Sequence, residues 1–351
     1  MSTSSIYDRD KMLLRYIKKS NKIDAIILIF LGANVNYQDY LGNTALFYAI
    51  EKNMICICIM LIRNGANVNI KNNMNYTPLI YAIQICHGNK HIVNLLLSNG
   101  ANPNNKDKLP YTALFYAIDK NLIDICIILI ENGADVNIKY INGYTPLIYA
   151  IAWRHPNIEI INLLLDNGAD INLTDNSNRS PLMFAINNIQ IFEALLNRKP
   201  NLNIHRMQDN QTVLITAVRL VTKDCDYLQS FKIVELIINA GADVNAVCMN
   251  NRTALNYAVR NGLMYICKII IAAEGNVNCI DTENNDTLLH IACRNRNLEL
   301  AIFLTEHMAC DKIVSLNLQN KSALEVWDDI IDDSNKEAFR VHVENLMADI
   351  L

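Results

Sequence analysis

Little in this sequence works against helix formation: its 351 residues include only 7 Pro and 11 Gly, and charged residues make up 19% against 51% hydrophobic. That scarcity excludes collagen-like and disordered chains, which need abundant Gly and Pro or high charge with few apolar residues, and it favours a packed, mostly helical protein. Long apolar runs are missing too. The longest, Met54 to Ile62, has nine residues, about half of the ~20 a helix needs to cross a bilayer, so no membrane partner is expected. The opening stretch MSTSSIYDRDKMLLRYIKKSNK mixes charges throughout and offers no apolar core before a small-residue cleavage site. No secretory leader is read there, and a cytoplasmic address is expected.

Charge of one sign is scarce, with 31 basic residues against 35 acidic and a net charge of −4. It is unevenly placed: residues 319–351 carry eight acids and three bases, −5, which leaves the rest near +1. A nucleic-acid partner needs a basic stripe, and none is expected. The ten cysteines are scattered without metal-ligand spacing. Several (Cys56, Cys58, Cys126, Cys267) fall within apolar stretches, where a free thiol acts as a small hydrophobe. Reduced thiols fit the cytosol.

The sequence motifs of catalysis are also lacking. There is no GxGxxG, GxxxxGK[ST], HExxH or GxSxG. No catalytic residue, no cofactor and no small-molecule substrate is expected. The nearest metal constellation is Cys86-His87-x-x-x-His91, but Gly88 and Asn89 interrupt the helix on which two histidines four apart would share a zinc. It reads as a polar loop, with no metal. The cluster Asp328, Asp329, Asp332 and Asp333 lacks the Gly and alternating spacing of a calcium loop and reads as a solvated face. Triplets such as Asn75-Tyr76-Thr77, Asn210-Gln211-Thr212 and Asn251-Arg252-Thr253 recur because a turn Asn precedes a helix-capping Thr; they are not glycosylation signals.

What the sequence does contain is a repeat. TALFYAI at Thr44 returns as TPLIYAI at Thr77, TALFYAI at Thr112, TPLIYAI at Thr145, SPLMFAI at Ser180, TVLITAV at Thr212, TALNYAV at Thr253 and TLLHIAC at Thr287. A second anchor, Gly-Ala followed by [ND]-[VIP]-N, stands at Gly32, Gly65, Gly100, Gly133, Gly168 and Gly241. Each unit reads as two short helices and a turn. Thr or Ser caps the first helix, Pro78, Pro146 and Pro181 sit in a first turn that tolerates a missing N–H, and Gly closes the second helix. Residues 44–71 resemble 112–139, and 77–102 resemble 145–170, both displaced by 68, so two repeats were copied together. The unit at Thr212 carries an insertion, Val221 to Phe231, expected as a surface loop.

These anchors resemble those of the ankyrin-repeat family, whose pattern is TPLHxAA, a helical break, an apolar pair, then GADVN. The middle units reproduce GADVN at Gly133 and Gly241 and GADIN at Gly168. The chain is similar to ankyrin proteins of large DNA viruses, such as giant viruses and poxviruses, and of protozoa. There are departures: the His of TPLH survives only as His290, LNRKPNLN replaces the Gly-Ala turn of the sixth unit, and AAEGNVN stands in the eighth. The resemblance implies an all-α ankyrin-repeat solenoid of helix-turn-helix units with β-turn loops. Its expected organisation is an N-terminal capping repeat at 1–39, about eight units over 40–318 starting near 40, 73, 108, 141, 176, 208, 249 and 283, and an acidic helical cap at 319–351.

It also implies a protein partner held on turn tips and first-helix ends along a concave groove. Residues just before each capping Thr are then the candidates for contact: Tyr40, Leu41, Met74, Tyr76, Leu109, Tyr111, Ile141 and Tyr144, joined by Trp153. Large rigid side chains of this kind make interface hot spots, although the tyrosines at this position suit packing against the neighbouring turn equally well. In the second half the equivalent positions are Arg179, Gln211, Arg252 and Asp286, with Arg179 and Arg252 expected to orient the partner. A non-enzymatic interaction scaffold is the expected function, with a host-cell target if the viral resemblance holds. Recruitment to a ubiquitin ligase and self-association are the alternatives.

Overall fold

A computed structural model of the chain describes residues 3–221, 227–328 and 334–348. It divides into two compact units, Met1–Asn176 and Ser177–Leu351, each a stack of helix pairs. In the N-terminal unit the pairs are α1 (Thr3–Lys18) with α2 (Lys22–Phe30), α3 (Ala45–Glu51) with α4 (Ile55–Arg63), α5 (Pro78–Gln84) with α6 (Lys90–Ser98), α7 (Ala113–Asp119) with α8 (Ile123–Glu131), and α9 (Pro146–Ala152) with α10 (Ile158–Asp166). In the C-terminal unit they are α11 (Pro181–Phe184) with α12 (Ile189–Leu196), α13 (Val213–Leu220) with α14 (Tyr227–Asn239), and α15 (Ala254–Arg260) with α16 (Met264–Ala272). There follow α17 (Leu288–Arg294) with α18 (Leu298–Thr305), a one-turn α19 (Cys310–Ile313), and α20 (Ala323–Asp328) with α21 (Ser334–Ala348). The described strands are two short pieces, β1 (Ile280–Asp281) and β2 (Asp286–Thr287), paired antiparallel with Ile280 opposite Thr287. The architecture is all-α, as the repeat implied.

First helices pack on first helices along each stack, and second helices on second helices. A first helix therefore meets protein on both flanks and on its own partner, which is why ALFYAI is apolar at every position. From Ala45 to Ile50 and from Ala113 to Ile118 every side chain is buried. Second helices keep one face outward and bury only spaced residues, Ile57, Cys58 and Leu61 in α4 and Ile125, Cys126 and Leu129 in α8. Burial pushes the thiols of Cys58, Cys126 and Cys267 up to about 12, so they pack as small apolar groups.

The caps follow the sequence with exceptions. Thr77 and Thr145 Oγ1 accept the N–H of Ile80 and Ile148 at 3.3 and 3.2 Å, and a Pro opens each helix. Thr44, Thr112 and Ser180 make no such bond. His290 closes a capping box on Thr287, its Nδ1 at 2.8 Å from the hydroxyl, while Nε2 lies 3.0 Å from the Lys321 carbonyl. Asn256, which stands in the place of the motif His, performs the same closure on Thr253 and keeps a polar contact there.

Polar side chains tie each repeat to the next. In the N-terminal unit the last Asn of the turns at Gly32, Gly65, Gly100 and Gly133 donates to the turn-Gly carbonyl of the following repeat and accepts a backbone N–H there. Asn104 Nδ2 reaches Gly133 O at 2.9 Å, and Asp135 N–H reaches Asn104 Oδ1 at 2.8 Å; Asn137 does the same with Gly168 and Asp170. These turns need a left-handed residue, and Gly133 supplies it at φ +84°. In the two divergent turns Lys199 (φ 52°) and Glu274 (φ 64°) adopt the same conformation without glycine's freedom.

Some expectations are modified. The segment Val221 to Phe231 is not all loop, since Tyr227 onward belongs to α14; residues 222–226 lie outside the described residues. Asp329, Asp332 and Asp333 of the acidic cluster also lie outside them. In the first helix pair Leu13, Leu14 and Ile17 enter the core, while α2 turns Ile23, Ile27 and Phe30 to solvent.

Two outcomes follow. Lys199→Gly relieves the left-handed strain and is expected to raise stability by about 1 kcal/mol in urea unfolding; an unchanged or lower midpoint contradicts it. Burial, first, holds the His290 imidazole below its ordinary value of 6.5 despite the Lys321 carbonyl and Asp286. The unfolded chain then binds more protons below about pH 6.5, so stability is fully present above that pH and falls as pH drops through it. His290→Asn, borrowing the side chain of Asn256, is expected to flatten that part of the stability profile.

Candidate functional site

The loops that enter α3, α5 and α7 are each organised by one side chain five residues before the capping position. Asp39 accepts the N–H groups of Leu41 and Asn43 at 3.0 and 3.1 Å, Asn72 those of Met74 and Tyr76, and Asp107 those of Leu109 and Tyr111. The acceptor, buried at Asn72 and Asp107 and half-buried at Asp39, fixes the turn, so the residue two places after it is thrust outward. Adjacent tips are then laced together: Asn73 N–H donates to the Leu41 carbonyl at 3.0 Å, and Lys71, Lys106 and Lys139 each reach a carbonyl of the following repeat at 3.0, 3.1 and 2.7 Å.

The candidate residues of the N-terminal unit separate into two layers. Tyr40, Leu41, Met74, Leu109 and Ile141 stand at the tips and are exposed, Tyr40 by 83% and Leu109 by 57%. Tyr76, Tyr111 and Tyr144 are half-buried behind them. Tyr111 is the centre of an aromatic cluster, its ring 4.3 Å from Tyr140, 5.8 Å from Phe115 and 6.1 Å from Tyr149. Tyr76 meets Tyr116 edge-on at 6.2 Å, Tyr144 meets Tyr140 at 6.4 Å, and Trp153, 38% exposed, stacks on Tyr149 at 5.1 Å. Hydroxyls are paired as well: Tyr111 with Tyr140 at 2.8 Å, Tyr116 with Asp107 at 2.5 Å, Tyr149 with Asp119 at 3.0 Å. Burial, then the Tyr140 hydroxyl, pushes Tyr111 up to about 12; Tyr116 and Tyr149 are pushed higher still, by burial and then by their carboxylates. The tyrosines are a rigid platform and the tips are its free surface.

In the C-terminal unit the expected polar positions are committed internally. The Arg252 guanidinium holds Asp281 at 2.6 Å and also pairs with Glu283. The Arg179 guanidinium lies 4.5 Å over the Phe184 ring. Gln211 and Asp286 are buried, and Asp286 is bonded to Arg294 at 2.6 Å. The exposed tip residues of this unit are instead Met207, Met249 and Leu318, at 75%, 60% and 69%. Met249 and Leu318 sit four residues before their capping Thr253 and Ser322, the register of Ile141 before Thr145, so carrying that spacing into the second half would have found them.

For catalysis or metal binding the geometry offers little. Cys86, half-buried, lines a cavity of about 410 Å³ with Glu51, His87 and Asn89. Burial and then Glu51 push its thiol up to about 11, away from the thiolate a nucleophile or metal ligand requires. Among the described residues no three His, Cys, Asp or Glu side chains group to hold a metal, and no helix is long and apolar enough to cross a membrane.

The two layers respond differently to truncation. Tyr111→Ala is expected to cost about 2–4 kcal/mol in urea unfolding, because it empties the aromatic cluster. Leu109→Ala should stay within about 0.5 kcal/mol. Equal losses would show that the tips pack rather than project.

A family model described as Ankyrin repeats (3 copies) matches residues 13–107, 85–175, 156–246 and 224–315. Curated relatives include the Ankyrin repeat and KH domain-containing protein mask-1 of Caenorhabditis elegans, 35% identical over 80 residues, which are 23% of this chain and 3% of that protein. Inversin of Gallus gallus is 32% identical over 89 residues, 25% of this chain and 8% of its own length. The Ankyrin repeat, SAM and basic leucine zipper domain-containing protein 1 of Eulemur macaco macaco is 36% identical over 77 residues, 22% of this chain and 15% of that protein. The chain thus spans a small part of the relatives it matches, and the shared part is the repeat, a module that mediates protein–protein interaction. With matched segments running from residue 13 to 315 and the capping, turn and stacking geometry in place, the chain belongs to the ankyrin-repeat family.

Proposed function

We propose that this chain is a non-enzymatic protein-interaction scaffold of the cytosol, which docks a segment of a partner protein along the loop tips of its N-terminal unit. One observation supports the reading above others. Tyr40, Leu41, Met74, Leu109 and Ile141 stay exposed at successive tips, while the other large apolar residues of their repeats, apart from Ile85 and Trp153, are buried or half-buried. Apolar side chains held on a rigid platform and left in water cost free energy that only a partner recovers, and projecting aromatic, Met and Leu side chains can bury large area with little loss of rotamer freedom. Trp153, stacked on Tyr149, extends the same surface. In this reading the helix pairs at 1–39 and 319–351 cap the repeats, and the internally paired Arg179 and Arg252 hold the C-terminal unit together.

The reading is tested by affinity capture from cell lysate with the wild-type chain beside a Leu41, Met74, Leu109, Ile141→Ala variant whose melting is unchanged. A protein retained by the first and lost by the second is the expected result. Identical retention by both would place binding elsewhere.

A further inference from the structure

One face of α1 is basic and looks onto the first loop tip. Lys11, Arg15, Lys18 and Lys19 recur at helical spacing and, together with Tyr37 and Tyr40, line a cavity of about 590 Å³ floored by Leu14. Lys18 is paired on the same wall: its Nζ lies 3.0 Å from Asp39 Oδ2 and 4.1 Å over the Tyr48 ring centroid. Asp39 is held in place by the N–H groups of Leu41 and Asn43, so this pair fixes the helix against the tip. Burial raises the Asp39 carboxyl, but the Tyr48 hydroxyl, the Lys18 ammonium and the two N–H groups more than offset it and keep it below its ordinary value. Four basic side chains and one carboxylate line the wall, a formal charge of +3. Arg15 and Lys19 are exposed, and neither side chain makes a hydrogen bond or ion pair among the described residues.

We propose that this cavity receives an acidic segment of the partner protein, its carboxylates on Arg15 and Lys19 and a neighbouring apolar side chain laid against Tyr37 and Tyr40. The inference deepens the reading of the loop tips as a protein-docking surface and depends on it. Charge complementarity selects the chemistry. Cations concentrated on one wall draw an anion to it, and a guanidinium beside an ammonium is well suited to carboxylates. The adjoining tips select a peptide: Leu41 and Met74 continue the surface with apolar side chains, which an acidic segment carrying Leu or aromatic residues would cover.

The test is fluorescence anisotropy on the full chain, with a short labelled peptide of Glu and Asp flanking a Trp, and the same peptide with Gln and Asn in place of the acids. The acidic peptide is expected to bind at low ionic strength and weaken steeply with salt, the neutral one not to bind. Arg15→Glu with Lys19→Glu should weaken binding by about tenfold or more, and the milder Arg15→Gln with Lys19→Gln by about fivefold. Lys268→Glu, an equal charge change on an exposed residue of the other unit, should leave it unaltered. The inference is overturned if the acidic peptide does not bind, if both α1 double variants bind as wild type does, or if oligouridylate displaces the peptide and binds more tightly. Those failures would leave the tip-docking reading standing if the tip variant still loses its captured protein; retention by the tip variant would sink that reading instead.

Discussion

Helices of seven residues do not persist in water, and α3, α5, α7, α9, α15 and α17 are each that long. They exist because neighbours enclose them. Everything else in the repeat follows from that dependence: an apolar residue at every position of ALFYAI, a capping Thr or Pro that starts the helix without help from a preceding turn, and second helices that bury only one face. Stability is shared among neighbouring repeats, so no single repeat could be lifted out and remain folded.

Stacking leaves the polar backbone of the turns to be satisfied between repeats, and asparagine does this work. The Asn104 and Asn137 side chains each join a carbonyl and an N–H of the next turn, and the lysines at 71, 106 and 139 bridge the loops nearer the tips. With the frame held from behind and from the side, tip residues are released from any structural duty. Substitutions at Tyr40, Met74 or Leu109 therefore leave the frame behind them in place.

Much of this was legible in the sequence because the repeat writes each constraint several times. The capping Thr, the turn Gly and the apolar first helix appear in unit after unit; the structure buries those helices and places Gly in the left-handed turns, while the cap bond forms at Thr77 and Thr145 but not at Thr44, Thr112 or Ser180. Paired turns were harder to read: nothing in LNRKPNLN announces that Lys199 takes the left-handed place of glycine, since the conformation is imposed by neighbours on both sides. The candidate site was legible in part. Exposure at Leu109 and Ile141 follows from position alone, but Tyr111 and Tyr144 belong to the packed layer, because the tyrosines of the first helices, Tyr116 and Tyr149, and Tyr140 stand close enough to engage them. That clustering depends on contacts between repeats that spacing along one chain does not show. The arginines at 179 and 252 found partners inside their own unit for the same reason.

In the proposed mode of binding the tips, and not the outward faces of the second helices, meet the partner. The most direct measurement places a photo-crosslinking residue at Leu109 in one variant and at Cys56, exposed on α4, in another, and compares the adducts formed in cells. A discrete adduct from position 109 that is absent from position 56 is the expected result. The same adduct from both, or one from position 56 alone, would contradict the account.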